Sequence, residues 1–185
     1  LKLLGKVEKY VFNRCQAIND LLNQVSEDLA RDELIKLLDY MSRHEQPYNP
    51  LINALIREVG LYPYMEEGSS SWTDAFACNL FKVDVGLAEE KALHREQYKL
   101  LKALLDNKNI AVSAPTSFGK SFVVDAFIKL KKPQNVMIIV PTIALTDETR
   151  RRIYKKFSHE YNIITTTDAD LAERNIFIFP QERAI

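Results

Sequence analysis

The stretch Ala114-Pro115-Thr116-Ser117-Phe118-Gly119-Lys120-Ser121 follows a short apolar run at residues 110–113 and leads into an apolar segment at residues 122–128. The apolar run predicts a strand and the later segment predicts a helix, so the small-residue loop connects the two. A loop in this context directs several backbone N–H groups at one point, and the helix N-terminus behind it adds aligned peptide dipoles. The stretch therefore predicts a loop that binds the phosphates of a nucleotide.

Individual positions of this loop have separate chemical roles. Gly119 lets the backbone approach a phosphate oxygen where a Cβ would collide. Lys120 brings a positive charge to the β- and γ-phosphates and is our candidate catalytic residue, and Ser121 offers a hydroxyl to Mg²⁺. The alternative, a chance Gly-Lys-Ser at a helix start, is disfavoured because a predicted strand and helix flank it. The expected nucleotide-binding residues of the loop are Thr116, Ser117, Phe118, Gly119, Lys120 and Ser121.

The composition of the chain restricts the class of protein. The 185 residues are 46% hydrophobic and 27% charged, which is ordinary for a globular protein of one or two domains. No window approaches 18 uncharged apolar residues, so we expect no membrane span. Cys15 and Cys78 lie far apart and form no C-x-x-C pair. Two idle thiols favour a reducing, cytoplasmic location.

The net charge of zero hides an asymmetry between the two halves. Residues 1–90 carry 9 Lys and Arg against 15 Asp and Glu, a net charge of −6, whereas residues 91–185 carry 16 against 10, a net charge of +6. Halves of opposite sign indicate two segments with different roles, and the basic half contains the phosphate loop. A positive surplus of this size is compatible with a nucleic-acid track.

Residues 1–92 predict a region of helices without strand-like alternation. Asn49 followed by Pro50 predicts a helix start, and Gly60 predicts its end. Ser71, with Asp74 three residues later, resembles a capping box that opens a short helix. We identify no catalytic constellation in this region. One interpretation of this region is that its helices bind a protein partner.

The second half predicts alternating helices and strands. A strongly amphipathic helix is expected from about residue 87 to residue 105. Residues 136–140 form an uninterrupted apolar run that is typical of a parallel strand covered on both faces. A helix is predicted at residues 144–157, followed by further apolar runs at 163–166 and 176–179. This alternation predicts an α/β layer with a parallel sheet, whose ligands lie at the C-terminal strand ends.

Three stretches and one glutamine of the basic half resemble the first RecA-like domain of superfamily-two helicases, the DEAD/DExH group. The phosphate loop resembles motif I of that family. Val140-Pro141-Thr142-Ile143-Ala144-Leu145 resembles motif Ia, and Phe179-Pro180-Gln181-Glu182-Arg183 is similar to motif Ib. Gln97 precedes Ala114 by 17 residues, where the family carries its adenine-reading glutamine.

The resemblance implies the ligands of these motifs. Motif I of the family holds ATP and Mg²⁺, with Gln97 at the adenine, while motifs Ia and Ib hold the sugar-phosphate backbone of one DNA or RNA strand. By position, Pro141, Thr142 and Arg183 are then the nucleic-acid-binding residues. Such contacts position a strand and carry little sequence information.

The family's motif II, D-E-x-[HD], is absent from these 185 residues. That motif supplies the acid that holds Mg²⁺ and the acid that activates water, and hydrolysis depends on both. We therefore interpret the chain as the N-terminal part of a helicase, with residues 1–92 as a helical region and residues 93–185 as a partial first RecA-like domain. We expect the full-length parent to be an ATPase and this part alone not to hydrolyse ATP.

Two other classes of function stay open on the sequence. The first is a phosphate-loop switch or small-molecule kinase that contacts no nucleic acid. The second is a helical partner-binding module fused to an ATPase. The sequence does not distinguish DNA from RNA, or unwinding from translocation. It also leaves nuclease fusion, restriction and antiviral defence open as biological contexts.

Overall fold

The computed structural model describes residues 5–66, 68, 70–86 and 90–183. The chain divides into two compact units. The first, the helical unit, comprises Leu1–Lys82 and Lys91–Tyr98, and the second, the α/β unit, comprises Val83–Glu90 and Lys99–Ile185. The predicted domain boundary between residues 92 and 93 stays a prediction.

The helical unit is built around three helices that pack on one another, α1 (Lys6–Asn23), α2 (Glu27–Arg43) and α3 (Pro50–Val59). Each helix is amphipathic, and its apolar stripe faces the other two. The core contains thirteen buried residues, among which Ile18, Leu34, Leu37, Ile52 and Ile56 have no exposed surface. This arrangement confirms that the region is mainly helical, as predicted.

The predicted start and end of α3 are confirmed, as is the predicted start of the helix that follows it. The Asn49 side chain accepts a hydrogen bond from the backbone N–H of Ile52 at 3.1 Å, and Gly60 ends α3 with φ 79°. A positive φ favours glycine, and a Cβ at Gly60 would lie 2.6 Å from the Cβ of Arg95. Ser71 and Asp74 form the predicted capping box at the start of α4 (Trp72–Leu80).

The segment that follows α4 differs from the prediction. Two short strands, β1 (Lys82–Val83) and β2 (Lys91–Ala92), form a two-stranded sheet where only helices were expected. The amphipathic helix α5 (Arg95–Leu105) begins at Arg95 and not near residue 87. The apolar spacing did not reveal this start, because Leu93 is fully buried just before the helix and extends its apolar pattern. Residues 87–89 lie outside the described residues.

The α/β unit contains a parallel three-stranded sheet, as predicted. Its strands are β3 (Asn135–Val140), β4 (Asn162–Ile164) and β5 (Asn175–Pro180), in the order β3-β5-β4. Both pairings are parallel, with Val140 opposite Pro180 at the C-terminal end of the sheet. The crossover between β3 and β4 is α7 (Ile143–Phe157), and α6 (Lys120–Lys131) precedes β3. This is the RecA-like α/β fold that the motifs implied.

Two predictions about this sheet are wrong for the described residues. Residues 110–113 form no strand; they pair with none of the described strands, and Ile110 and Val112 are 37% and 42% exposed. Apolar composition cannot create a strand without a hydrogen-bonded neighbour. β3 is also covered on one face and not on both, because α6 and α7 pack on the side of Val136 and Ile138. On the opposite face, Met137 is 61% and Ile139 is 53% exposed.

The two cysteines are core residues, as expected. Cys15 and Cys78 are both buried and form no disulfide. Burial raises the pKa of the Cys15 thiol to about 11, so this group is protonated and unreactive at neutral pH. None of the helices in the described part of the chain combines the length and apolarity needed to cross a lipid bilayer.

Candidate functional site

The predicted phosphate loop forms a tight turn directly before α6. Thr116–Phe118 form one turn of 3₁₀ helix, in which the backbone N–H of Phe118 donates to the carbonyl of Pro115 at 3.1 Å. Gly119 then adopts the left-handed conformation, with φ 79° and ψ 35°, and α6 begins at the next residue. The left-handed glycine turns the chain so that the first N–H groups of the helix, which have no partner within the helix, follow the loop directly.

The Lys120 side chain lies across this loop. Its Nζ donates hydrogen bonds to the carbonyl oxygens of Ala114 at 2.7 Å and Pro115 at 2.9 Å. The ammonium group therefore lies against the backbone of the loop, where it can exchange these carbonyls for phosphate oxygens by rotation of its own side chain. A helix N-terminus combined with a lysine in this position has the donors that a polyphosphate requires.

Ser121 is the one candidate metal ligand that the sequence placed in the loop, and it is exposed at the second position of α6. The described residues contain no group of three or more His, Cys, Asp or Glu side chains that could hold a metal ion. A nucleotide-bound Mg²⁺ does not need such a group, because phosphate oxygens and water supply most of its ligands. The hydroxyl of Ser121 fits this mode of binding.

Gln97 lies in the helical unit, whereas the phosphate loop lies in the α/β unit. It is 7% exposed in the first turn of α5. Its Oε1 accepts the backbone N–H of His94 at 3.1 Å, and its own N–H donates to His94 Nδ1 at 3.3 Å. These reciprocal bonds resemble a capping box, with histidine in place of serine. The adenine-reading role of Gln97 stays a prediction.

A cavity lies at the C-terminal ends of the parallel strands. It has a volume of about 270 Å³, and its lining includes Thr165, Thr166, Pro180 and Arg183 together with the first turns of α7. Arg183, predicted from the motif Ib resemblance, donates a hydrogen bond from Nη1 to the carbonyl of Thr165 at 3.5 Å. The structure thus places Arg183 in a cavity beside residues that follow β4, and sequence spacing did not identify Thr165 as its neighbour.

Pro141 and Thr142, the two motif Ia candidates, connect β3 to α7 and are both exposed. Thr142 caps α7, since its Oγ1 accepts the backbone N–H of Leu145 at 3.3 Å. Its carbonyl accepts the hydroxyl of Thr146 at 3.2 Å. The residues predicted at motifs Ia and Ib therefore lie at the same edge of the sheet, because parallel strands end together.

The basic residues of α7 are mostly engaged within the unit. Asp147 pairs with Arg150 at 3.0 Å and with Arg151 at 2.5 Å, and these two hydrogen bonds hold the pKa of its carboxyl below the ordinary value. Arg152 and Lys156 both contact Asp125, which is buried in α6. The sequence did not single out Asp125, because a lone Asp within an apolar helical run carries no motif.

Comparison with known proteins finds a family match in each part of the chain. Residues 94–179 match the family model of the DEAD/DEAH box helicase, and residues 2–75 match that of the anti-bacteriophage protein B N-terminal domain. The chain is similar to anti-bacteriophage protein B of Escherichia coli (strain K12), with 32% identity over 176 residues. The aligned region covers 93% of this chain and 24% of that protein, so the chain spans about a quarter of the length of this relative.

Proposed function

We propose that this chain is part of an ATP-dependent helicase or translocase, in which it binds ATP-Mg²⁺ and one nucleic-acid strand. Its residues 94–179 match the family model of the DEAD/DEAH box helicase, and this part of the chain has a RecA-like fold. The observation that supports this most is the geometry of the phosphate loop. A left-handed Gly119 leads directly into α6, and the Lys120 ammonium group lies on two carbonyls of the loop. These features match the donors that surround a triphosphate.

We propose a separate role for each of the loop residues. Lys120 Nζ leaves the carbonyls of Ala114 and Pro115 and pairs with the β- and γ-phosphates, where its charge offsets the charge of the transferring group. The first N–H groups of α6 donate to phosphate oxygens, and the Ser121 hydroxyl binds the metal. Mg²⁺ supplies further charge neutralisation on the phosphates when it is bound with the nucleotide.

The nucleic-acid strand is proposed to contact the C-terminal edge of the sheet, where Pro141, Thr142 and Arg183 lie. Arg183 provides a cation, and the exposed start of α7 provides helix N–H groups and the positive end of its dipole. Thr165 and Thr166, in the same cavity, add hydroxyl groups. Donors of this kind bind phosphates without reading bases, so we expect contact with the backbone of a single strand.

The experiment that tests this function is the substitution Lys120→Ala in the full-length protein. We expect it to lower ATP hydrolysis by about 100-fold or more, since it removes the charge at the transferring phosphate. Binding of a fluorescent ATP analogue to this chain should weaken in parallel. Circular dichroism should be unchanged, because the Lys120 side chain is exposed and contacts only loop carbonyls.

The matched control is Lys155→Ala, which removes an exposed lysine from α7. Normal hydrolysis by the Lys120 variant, or equal losses in both variants, would contradict the proposal. Hydrolysis that responds neither to oligo(dT) nor to oligo(U) would favour the rival class of function, a phosphate-loop switch or kinase without nucleic acid.

We extend the proposal to defence against bacteriophage, with the helical unit contacting a protein partner in the cytoplasm. The support is the match of residues 2–75 and the similarity to a protein named for its action on phage. In addition, α4 presents an exposed apolar face, in which Trp72, Phe76 and Leu80 are 81%, 54% and 59% exposed. Exposed aromatic residues in a row are typical of protein-binding surfaces.

A plaque assay with the full-length gene tests this extension. We expect Trp72→Ser to reduce protection against phage while ATP hydrolysis stays normal, and Lys120→Ala to abolish both. Thr73→Ser, on the neighbouring residue of α4, serves as the control. Full protection by the Trp72 variant contradicts a partner-binding role for this face, and absence of protection by the wild type contradicts the defence role.

A further inference from the structure

A buried carboxylate connects the two helices that carry the proposed sites. Asp125 of α6 is 1% exposed and lies between two cations of α7, Arg152 and Lys156. Lys156 Nζ is 2.6 Å from one carboxylate oxygen, and Arg152 Nη1 donates a hydrogen bond to the other. Both cations therefore hold α7 against the phosphate-loop helix.

Arg152 makes a second contact with α6 that reaches the phosphate loop. Its Nη1 donates a long hydrogen bond, 3.4 Å, to the backbone carbonyl of Ser121. Ser121 lies four residues before Asp125, so the two acceptors stand one turn apart on the same face of α6. One guanidinium group thus contacts both the buried carboxylate and the turn that carries the proposed metal ligand.

The other end of α7 carries the proposed strand contact. Thr142 caps the helix, and Arg152 follows ten residues later, about 15 Å along a helix at 1.5 Å per residue. A helix of this length moves as a rigid element, so a shift of its N-terminus displaces Arg152 with it. Arg152 therefore connects the proposed nucleic-acid site to the first turn of the proposed nucleotide site.

We propose that Arg152 is a positioning residue. It transmits the binding of a nucleic-acid strand at the start of α7 to Ser121 and the phosphate loop. This inference rests on the proposed function. A structural brace alone would need only the contact with Asp125, which Lys156 also makes. The contact with the Ser121 carbonyl is what distinguishes Arg152, and coupling between two sites through such an element typically changes affinity or rate by about 5–150-fold.

The experiment measures ATP hydrolysis by the full-length protein with and without oligo(dT) and oligo(U), and compares Arg152→Met with Lys156→Met. Each variant removes one of the two cations from Asp125, so thermal unfolding is expected to change by similar amounts. We expect the Arg152 variant to lose stimulation of kcat/KM for ATP by about fivefold or more. The Lys156 variant should keep its stimulation within about twofold of the wild type, a change that is below the range of site-to-site coupling.

Arg152→Lys serves as a conservative variant that keeps the charge beside Asp125. A lysine ammonium lacks the planar fork of a guanidinium, so we expect it to restore stability more fully than stimulation. If Arg152→Met does not fold, this variant carries the test.

The outcomes separate the two proposals. Equal loss of stimulation in the Arg152 and Lys156 variants, or retained stimulation in the Arg152 variants, overturns the positioning role alone. A wild type whose hydrolysis is not stimulated by either oligonucleotide overturns the proposed function, and the positioning role with it.

Discussion

The helical unit and the α/β unit bury their apolar surface in different ways. In the helical unit, α1, α2 and α3 surround a core of thirteen buried residues. In the α/β unit, the sheet core contains six buried residues, all on the side that α6 and α7 cover. The opposite face of the sheet exposes Met137 and Ile139. The first core is enclosed by helices, whereas the α/β unit leaves one face of β3 exposed.

The difference shows what each architecture demands of its neighbours. A helix has one apolar stripe and buries it against any adjacent helix, so three helices suffice. A parallel sheet has two apolar faces, each of which needs a covering layer. Ion pairs join elements in both units: Lys156 of α7 pairs with Asp125 of α6 at 2.6 Å, and Arg14 of α1 pairs with Glu33 of α2 at 2.6 Å. Its candidate site residues are exposed at strand and helix ends.

The largest effect that would test this comparison is expected from Leu37→Ala in the helical core. Leu37 has no exposed surface, and its replacement leaves a cavity among α1, α2 and α3. We expect a loss of about 2–5 kcal/mol in the free energy of unfolding, since the enclosed core cannot close around the cavity. Chemical denaturation followed by far-ultraviolet circular dichroism measures it.

The control for this prediction is Leu29→Ala in the same helix. Leu29 is 58% exposed, so its free energy of unfolding should change by no more than about 0.5 kcal/mol. A Leu37 variant as stable as the Leu29 variant would mean that the helical unit does not depend on its enclosed core.

A smaller effect, present at neutral pH and lost in acid, is expected from Glu160→Gln in the α/β unit. The hydrogen bond from Lys129 holds the pKa of Glu160 below its ordinary value, with a further contribution from Lys132. A lowered pKa means that the folded state favours the ionised carboxylate. The stabilisation is therefore complete above the ordinary pKa, about 4.3, and is lost as the pH falls through the lowered value.

We expect the wild type to exceed the Glu160 variant in stability by about 1 kcal/mol or less at pH 7, and this difference to vanish in acid. Thermal unfolding measured across the acidic range provides the test. Glu148→Gln, at an exposed position of α7, serves as the control. A stability difference that persists undiminished at acidic pH would show that the ion pair is not its origin.

Local sequence patterns predicted the features that depend on neighbouring residues. The caps at Asn49 and Ser71, the glycine stop at Gly60 and the loop before α6 are all confirmed, because each depends on residues within one helical turn. Periodicity also predicted the parallel sheet. It was wrong at residues 110–113, where an apolar run has no described strand beside it.

The candidate site was predicted in part. Motif spacing identified the phosphate loop, Pro141, Thr142 and Arg183, and their binding roles stay predictions. The sequence could not show that Arg183 contacts Thr165, or that Lys120 lies on the carbonyl of Ala114. The cavity at the strand ends was likewise visible only after the strands were paired.

The sequence by itself determined the class of fold and the turn that precedes α6, since helix periodicity, capping and a Gly-Lys-Ser turn act over a few residues. Only the tertiary structure decided which charges meet. Arg152 is 31 residues from Ser121 and 27 from Asp125, and no local pattern relates them. Their contact exists because the sheet places α7 against α6, where a buried carboxylate requires partners of opposite charge.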